Sequence, residues 1–305
     1  MIERLRPECI RCMVKRQLDN VPSDAAVEKQ MEYMQKILRV VADAPKSLSA
    51  PVLVQEFNRL QKEYFGTDED FTEIKYYFNE LMMRKAGAIE KRISKSEEPL
   101  KLALQYAMTG NYIDFGALHS VEEDKLDELL NKVGSTEEIV GAGTKTKTDI
   151  MELKEYENLC DDLKSAKNLV YLTDNCGEIV LDKVFIQELK SEYPELVITV
   201  IVRGENVLND ATLVDAKQIG LDKLVTVIDN GNGIAGTWMD ALSEEALRTM
   251  HEADVILSKG QGNYETLRMC GLNVYYLFMC KCDMFAKGFN VPRFTGVLVN
   301  DRDCV

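Results

Sequence analysis

Histidine is scarce in this chain, with two residues, His119 and His251, among 305. A Ser-His-Asp set needs a histidine beside its nucleophile. His119 lies between Leu118 and Ser120 in the helical part, and His251 falls at an expected helix C-terminus, where capping is the simpler role. Positive charge is also short. Lys and Arg number 37 against 51 Asp and Glu, a net −14, which argues against nucleic acid as a partner because phosphate contacts need a basic surface. An anionic small molecule stays possible, since a local pocket or a metal ion reverses the sign of the field. No apolar run approaches the ~20 residues that span a bilayer. Met1-Ile2-Glu3-Arg4-Leu5-Arg6-Pro7 has no apolar signal region, so the expectation is a cytoplasmic protein without a membrane partner. Eight cysteines in such a chain do not make a disulfide framework. The close pairs are Cys9-x-x-Cys12 and Cys280-Lys281-Cys282, and a structural zinc would want four ligands, with both histidines far away in sequence. Reduced, partly buried thiols are expected.

A hydrophobic content of 46% and a charged content of 29% describe an ordinary globular chain, long enough for two domains. The first part is helical in pattern. Val27, Met31, Met34, Leu38 and Val41 recur at helical spacing and predict a core-facing stripe. Pro51–Tyr64 and Phe71–Ile93 continue the pattern, with cap-like residues in Thr67-Asp68-Glu69-Asp70. Thr109-Gly110-Asn111-Tyr112-Ile113-Asp114-Phe115 breaks it, leaving Asn111 and Asp114 without an evident surface role. Ser135-Thr136-Glu137-Glu138 has the spacing of a capping box. Gly141-Ala142-Gly143-Thr144-Lys145-Thr146-Lys147-Thr148 is the most linker-like stretch. The boundary is placed there, giving an all-helical domain over 1–150 and an α/β domain over 151–305.

From Asn168 strands alternate with helices. Strands are expected at Leu169–Thr173, Leu196–Val202, Leu224–Ile228, Asp254–Leu257 and Asn273–Phe278. Helices are expected near Ile179–Ser191, Ala211–Gln218, Met239–His251 and Tyr264–Cys270. Continuous apolar strands imply a mostly parallel sheet covered on both faces, a three-layer α/β/α, Rossmann-like fold. Ligands of such sheets gather outside the carboxyl ends of the strands. Those ends carry Asp174-Asn175 with Glu178 and Asp182, then Arg203-Gly204-Glu205-Asn206 and Asn209-Asp210-Ala211-Thr212. After them come Asp229 to Thr237, Ser258-Lys259-Gly260-Gln261-Gly262-Asn263-Tyr264-Glu265, and Cys280-Lys281-Cys282-Asp283.

Asp174, Asn175 and Asp210 are hard oxygen donors that suit one octahedral cation better than zinc. Ser258, Lys259 and the backbone from Gly260 to Gly262 could cradle a phosphate, with Lys281 as a second positive charge. Metal beside phosphate suggests phosphoryl chemistry. Gly231-x-Gly233-x-x-Gly236 formally matches a dinucleotide fingerprint, but it follows the third strand and lacks the acidic partner. A nucleotide-cofactor enzyme, such as an S-adenosylmethionine-dependent carboxyl methyltransferase using that loop, is the alternative reading.

Taken together, Cys9-Ile10-Arg11-Cys12, Gly110-Asn111-Tyr112-Ile113-Asp114, Asp174-Asn175-Cys176-Gly177-Glu178, Asn209-Asp210-Ala211-Thr212 and Lys259-Gly260-Gln261-Gly262-Asn263-Tyr264 resemble the metal-dependent damage-control phosphatases, long grouped as domain of unknown function 89. The amino-terminal Cys-x-x-Cys is similar to the stand-alone prokaryotic branch. The resemblance implies a helical domain on an α/β/α domain and hydrolysis of phosphate monoesters of small metabolites, sugar phosphates included. It implies activation by manganese, cobalt, nickel or magnesium, with Asp174, Asn175 and Asp210 as metal ligands. Asp174, Asn175 and Lys259 are then the expected catalytic set. Ser258, Lys259, Gly260, Asn263, Asn111, Asp114 and Lys281 are expected around the substrate phosphate.

Overall fold

The computed structural model describes residues 4–66, 70–114, 121–134, 139–141, 144–146 and 153–303. Helices fill the first part: α1 (Pro7–Asp19), α2 (Val27–Asp43), α3 (Ala50–Phe65), α4 (Thr72–Ile93), α5 (Pro99–Gly110) and α6 (Glu123–Lys132). Helices α1, α3 and α5 carry proline in the first turn, where its missing N–H has no helical partner to lose. Asp70 Oδ1 accepts from the Thr72 N–H at 2.9 Å at the head of α4, an end signal visible in the sequence.

The stripe expected of α2 is corrected. Tyr33 and Ile37 are its buried residues, and Met34 and Val41 pack beside them, but Val27, Met31 and Leu38 are exposed. The packed face is centred about one residue away from the expected stripe, a rotation of roughly 100° about the helix axis. Tyr33 and Ile37 are what α1 and α3 cover, through Met13, Leu53, Phe57 and Leu60.

A short antiparallel hairpin, β1 (Ile139–Gly141) with β2 (Thr144–Thr146), occupies part of the stretch expected to be a linker. The supposed capping box at 135–138, the boundary at 150 and His119 lie outside the described residues.

The remainder runs α7 (Leu153–Ser165), β3 (Asn168–Leu172), α8 (Glu178–Glu192), β4 (Val197–Val202), α9 (Leu213–Gln218), β5 (Thr226–Asp229), α10 (Glu244–His251), β6 (Val255–Lys259), α11 (Gln261–Leu267), β7 (Val274–Met279), α12 (Asp283–Gly288) and β8 (Gly296–Asn300). Six strands form one sheet in the order β5-β4-β3-β6-β7-β8, all parallel except β8, which lies antiparallel on β7. The winding reverses between β3 and β6, the switch point where doubly wound folds open a crevice. Strand β8 is absent from the sequence expectation, although Gly-Val-Leu-Val-Asn is a short apolar run bounded by turn residues.

Alternation sorts the strands onto two cores. Leu169, Tyr171, Val200, Leu257, Tyr275 and Leu277 face one side, and Val170, Leu172, Ile256, Tyr276 and Phe278 the other. The first core is continuous with Phe78, Leu81 and Met82 of α4, Leu104 of α5 and Leu126 of α6. The second is aromatic: Tyr264 packs edge-on against Tyr276 at 5.1 Å and stacks on Phe278 at 5.1 Å. Helices α1–α3 keep a third, smaller core. No described helix is long and apolar enough to cross a membrane.

Candidate active site

Strand β3 ends on a turn that its neighbours hold on all sides. Gly177 has φ 78, and a Cβ there would lie 2.9 Å from Ile113 Cδ1, so only glycine fits the turn into α8. Asn79 Oδ1, on α4, accepts from the Gly177 N–H at 2.6 Å. The 209–211 segment is stitched alongside. Asn175 and Asp210 form an isolated antiparallel bridge, Cys176 N–H donates to Asn209 O at 2.8 Å, and Ala211 N–H donates to Asp174 O at 2.7 Å. A capping box of Thr212 and Asp215 starts α9 immediately after. Backbone pairing therefore sets Asp174, Asn175 and Asp210 side by side.

Their side chains are buried and partly committed. Asp174 Oδ2 accepts from Asn111 Nδ2 at 2.9 Å and from Asn175 Nδ2 at 2.8 Å, while Asp210 Oδ2 accepts from Arg203 Nε at 2.7 Å. Asp174 Oδ1, Asn175 Oδ1 and Asp210 Oδ1 take no hydrogen bond from the described residues. Burial pushes the Asp174 carboxyl well above the usual range, Asp210 and Glu178 add to that, and Lys281 opposes it. Asp210 is raised by burial and held back by Arg203. Two carboxylates and an amide held this way, each with an oxygen to spare, fit a hard divalent cation. Among the described residues no three His, Cys, Asp or Glu side chains gather to form a metal site.

Gly260 makes room for this arrangement. It has φ 81, and a Cβ there would stand 2.0 Å from Asp174 Oδ2. Its N–H is spent on Leu277 O at 3.1 Å, so it offers no donor to a phosphate. The other expected phosphate contacts are placed differently than the sequence suggests. Lys259 is fully buried, with its ammonium on Glu178 Oε1 and Asp182 Oδ1, both at 2.6 Å, and on Ala107 O at 2.9 Å. All three donors are taken by the protein, and no donor of Lys259 faces the crevice. Burial works against the ammonium, but Asp182 and Glu178 outweigh it and raise the Lys259 pKa. Ser258, the preceding residue, falls on the opposite face of the sheet, and its Oγ is buried without a hydrogen bond.

Asn263 is likewise occupied. Its Nδ2 donates to Thr173 O at 3.1 Å and Lys259 O at 2.7 Å, and its Oδ1 accepts from Thr237 Oγ1 at 2.8 Å and Arg203 Nη1 at 3.2 Å. Asn111 gives Nδ2 to Asp174 and to both oxygens of Glu178, and its Oδ1 accepts from Met279 N–H at 3.0 Å. Lys281 Nζ pairs with Asp114 Oδ2 at 2.6 Å, at the edge of the same crevice.

Sequence reasoning assigned no role to Arg203, Glu178 or Asp182. Arg203 is 2% exposed and spans Asp210, Asn263 and Gly236 O. Glu178 collects Asn111, Asn175 and Lys259. The available signal was two acids four residues apart in an otherwise apolar helical turn, Glu-Ile-Val-Leu-Asp, which need a buried cation. The Gly231–Gly236 loop is filled by protein: a Cβ at Gly231 would meet Ser243 Cβ at 2.9 Å, and one at Gly236 would meet Thr266 at 2.7 Å. Those glycines serve packing. A groove of about 1220 Å³ runs instead between α2, α3 and residues 205–208.

Fold and site together define a doubly wound α/β protein with an acidic, oxygen-donor crevice at its switch point. The damage-control phosphatase ARMT1-like domain matches residues 5–296, nearly the whole chain, and the chain belongs to that family of phosphatases. It is 30% identical to Damage-control phosphatase PH1575 of Pyrococcus horikoshii, over 98% of each chain. It is also 30% identical to a damage-control phosphatase of Archaeoglobus fulgidus, over 95% of this chain and 96% of that one. The crystal structure of a DUF89 family protein from Pyrococcus horikoshii superposes with a TM-score of 0.75 at 27% identity, covering 97% and 99% of the two chains.

Proposed function

We propose that this chain hydrolyses phosphate monoesters of small metabolites, sugar phosphates among them, with manganese, cobalt, nickel or magnesium as the activating cation. The observation that carries the reading is the trio of spare oxygens, Asp174 Oδ1, Asn175 Oδ1 and Asp210 Oδ1, on two segments locked by one backbone bridge. These residues would hold the cation, which when bound supplies Lewis-acid charge to a phosphoryl oxygen.

The chain's own groups divide the remaining work. Asn111 and Asn175 donate to the Asp174 carboxylate, Glu178 accepts from both amides, and Lys259 neutralises Glu178 and Asp182, acting through them and not on the phosphate. Asn263 ties the ends of β3 and β6, and Lys281 with Asp114 borders the mouth. Gly260 admits the Asp174 carboxylate. The division into a helical portion over 1–150 and an α/β portion over 151–305 belongs to the same proposal. The separate core of α1–α3 supports it, while α4–α6 share the core of the sheet. A cytoplasmic setting accords with seven described cysteines standing as free thiols.

The test is phosphate release from p-nitrophenyl phosphate and a sugar-phosphate panel. Metal-stripped protein is run alone and with each of the four cations. Release is expected only with a cation, and Asp174→Ala should reduce it by about 10³-fold or more, the scale of losing a central electrostatic group. Wild-type turnover in that variant sinks the assignment.

A further inference from the structure

Among the described residues Arg203 is the one guanidinium buried beside the candidate ligands, and it is only partly spent. Nε holds Asp210 Oδ2 at 2.7 Å, and Nη1 holds Gly236 O at 3.0 Å and Asn263 Oδ1 at 3.2 Å. Nη2 is buried without a hydrogen bond, and Asp174 Oδ1 is 3.7 Å away, beyond hydrogen-bond reach. An arginine donor left unpaired at 2% exposure is costly. Its neighbours explain the orientation. Three acceptors on three segments clamp the other two nitrogens, so Nη2 is fixed toward the side of Asp174 that carries the spare oxygen.

We infer that Arg203 is a substrate-binding residue, whose Nη2 is reserved for a phosphoryl oxygen seated beside Asp174. The guanidinium serves as a bridge: one edge fixes a metal-binding carboxylate, and the free corner binds the anion. A rigid planar fork does this where a lysine could not. The inference rests on the phosphatase reading for its ligand, and inorganic phosphate, the product of that reaction, is the probe.

Phosphate binding to manganese-loaded protein is measured by calorimetry, separately from turnover, for wild type and for Arg203→Lys. Manganese binding is measured alone on both. Arg203→Lys keeps a cation beside Asp210 but removes the second donor. The expected result is phosphate affinity weaker by roughly 10- to 100-fold, the scale of one charged hydrogen bond. The KM for p-nitrophenyl phosphate should rise by a similar factor, and manganese affinity should stay within about threefold. Unchanged phosphate affinity overturns the inference. So does a loss that merely follows a loss of manganese affinity, which would make Arg203 a positioning residue for Asp210. Wild type that binds phosphate but releases none from any ester would fail the phosphatase reading and leave this inference standing. If Arg203→Lys does not fold, wild-type crystals soaked in manganese and phosphate decide. A phosphate oxygen should lie about 3 Å from Arg203 Nη2, and an anion beside Asp174 without that contact refutes the role.

Discussion

Helices α1–α3 and the carboxyl ends of the sheet bury their side chains on opposite terms. The helical trio closes on Met13, Tyr33, Ile37, Leu53, Phe57 and Leu60, and leaves Leu18, Val27, Met31 and Leu38 exposed. The sheet ends bury Asp174, Asn175, Glu178, Asp182, Arg203, Asp210, Lys259 and Lys281 within a few residues of a continuous apolar core. Apolar packing tolerates change in small steps, because each contact contributes little by itself. A buried charge network does not, since removing one member strands the others. The comparison teaches where this molecule is fragile, which is around its site and not at its outer helices.

The largest expected effect sharpens that contrast. Lys259→Met should leave Glu178 and Asp182 buried without a cation and cost about 3–5 kcal/mol. Urea unfolding followed by far-ultraviolet dichroism measures it. A cost below about 1 kcal/mol would remove the contrast between the two regions.

A smaller effect concerns Glu265, half-buried on α11. Burial raises its carboxyl to about 7, against the pull of Gln261 and Arg268. A carboxyl that titrates higher when folded keeps its full contribution at acid pH and loses it as pH rises from about 4.3 through about 7. Glu265→Gln should therefore flatten the fall in melting temperature between those pH values. An unchanged slope would show that Glu265 does not govern it.

The smallest effect tests the exposed face of α2. Met31→Lys or Leu38→Lys should change stability by no more than about 0.5 kcal/mol. A loss of several kcal/mol in either would mean that this face is covered after all.

Much of the sheet was legible because parallel strands buried on both faces show as unbroken apolar runs, as at Leu169–Leu172 and Val274–Met279. Asp174, Asn175 and Asp210 were legible because strand ends are where such folds place ligands, and the structure brings them together. The phase of α2 was not, because two overlapping apolar stripes fit the same helix and only α1 and α3 select between them. Strand β8 escaped because its five residues pair only with β7 and have no helix leading from it back into the sheet. Lys259 looked like a phosphate ligand in its motif, and its true partners, Glu178, Asp182 and Ala107 O, lie 77 to 152 residues away. Arg203 was invisible as a site residue for the same reason: a single arginine after a strand says nothing about the acceptors it will find.

Those sequence separations also bear on how the protein comes into being. Asn111 is oriented by the backbone of Met279, 168 residues later, and Asp114 by Lys281. Pairings this distant form late, after the loop entropy between them has been overcome. A growing chain therefore presents Asn111 and Asp114 before Met279 and Lys281, which orient them, exist. The pocket thus functions as a seal of completion, acquiring its shape when nearly all of the polypeptide is in place.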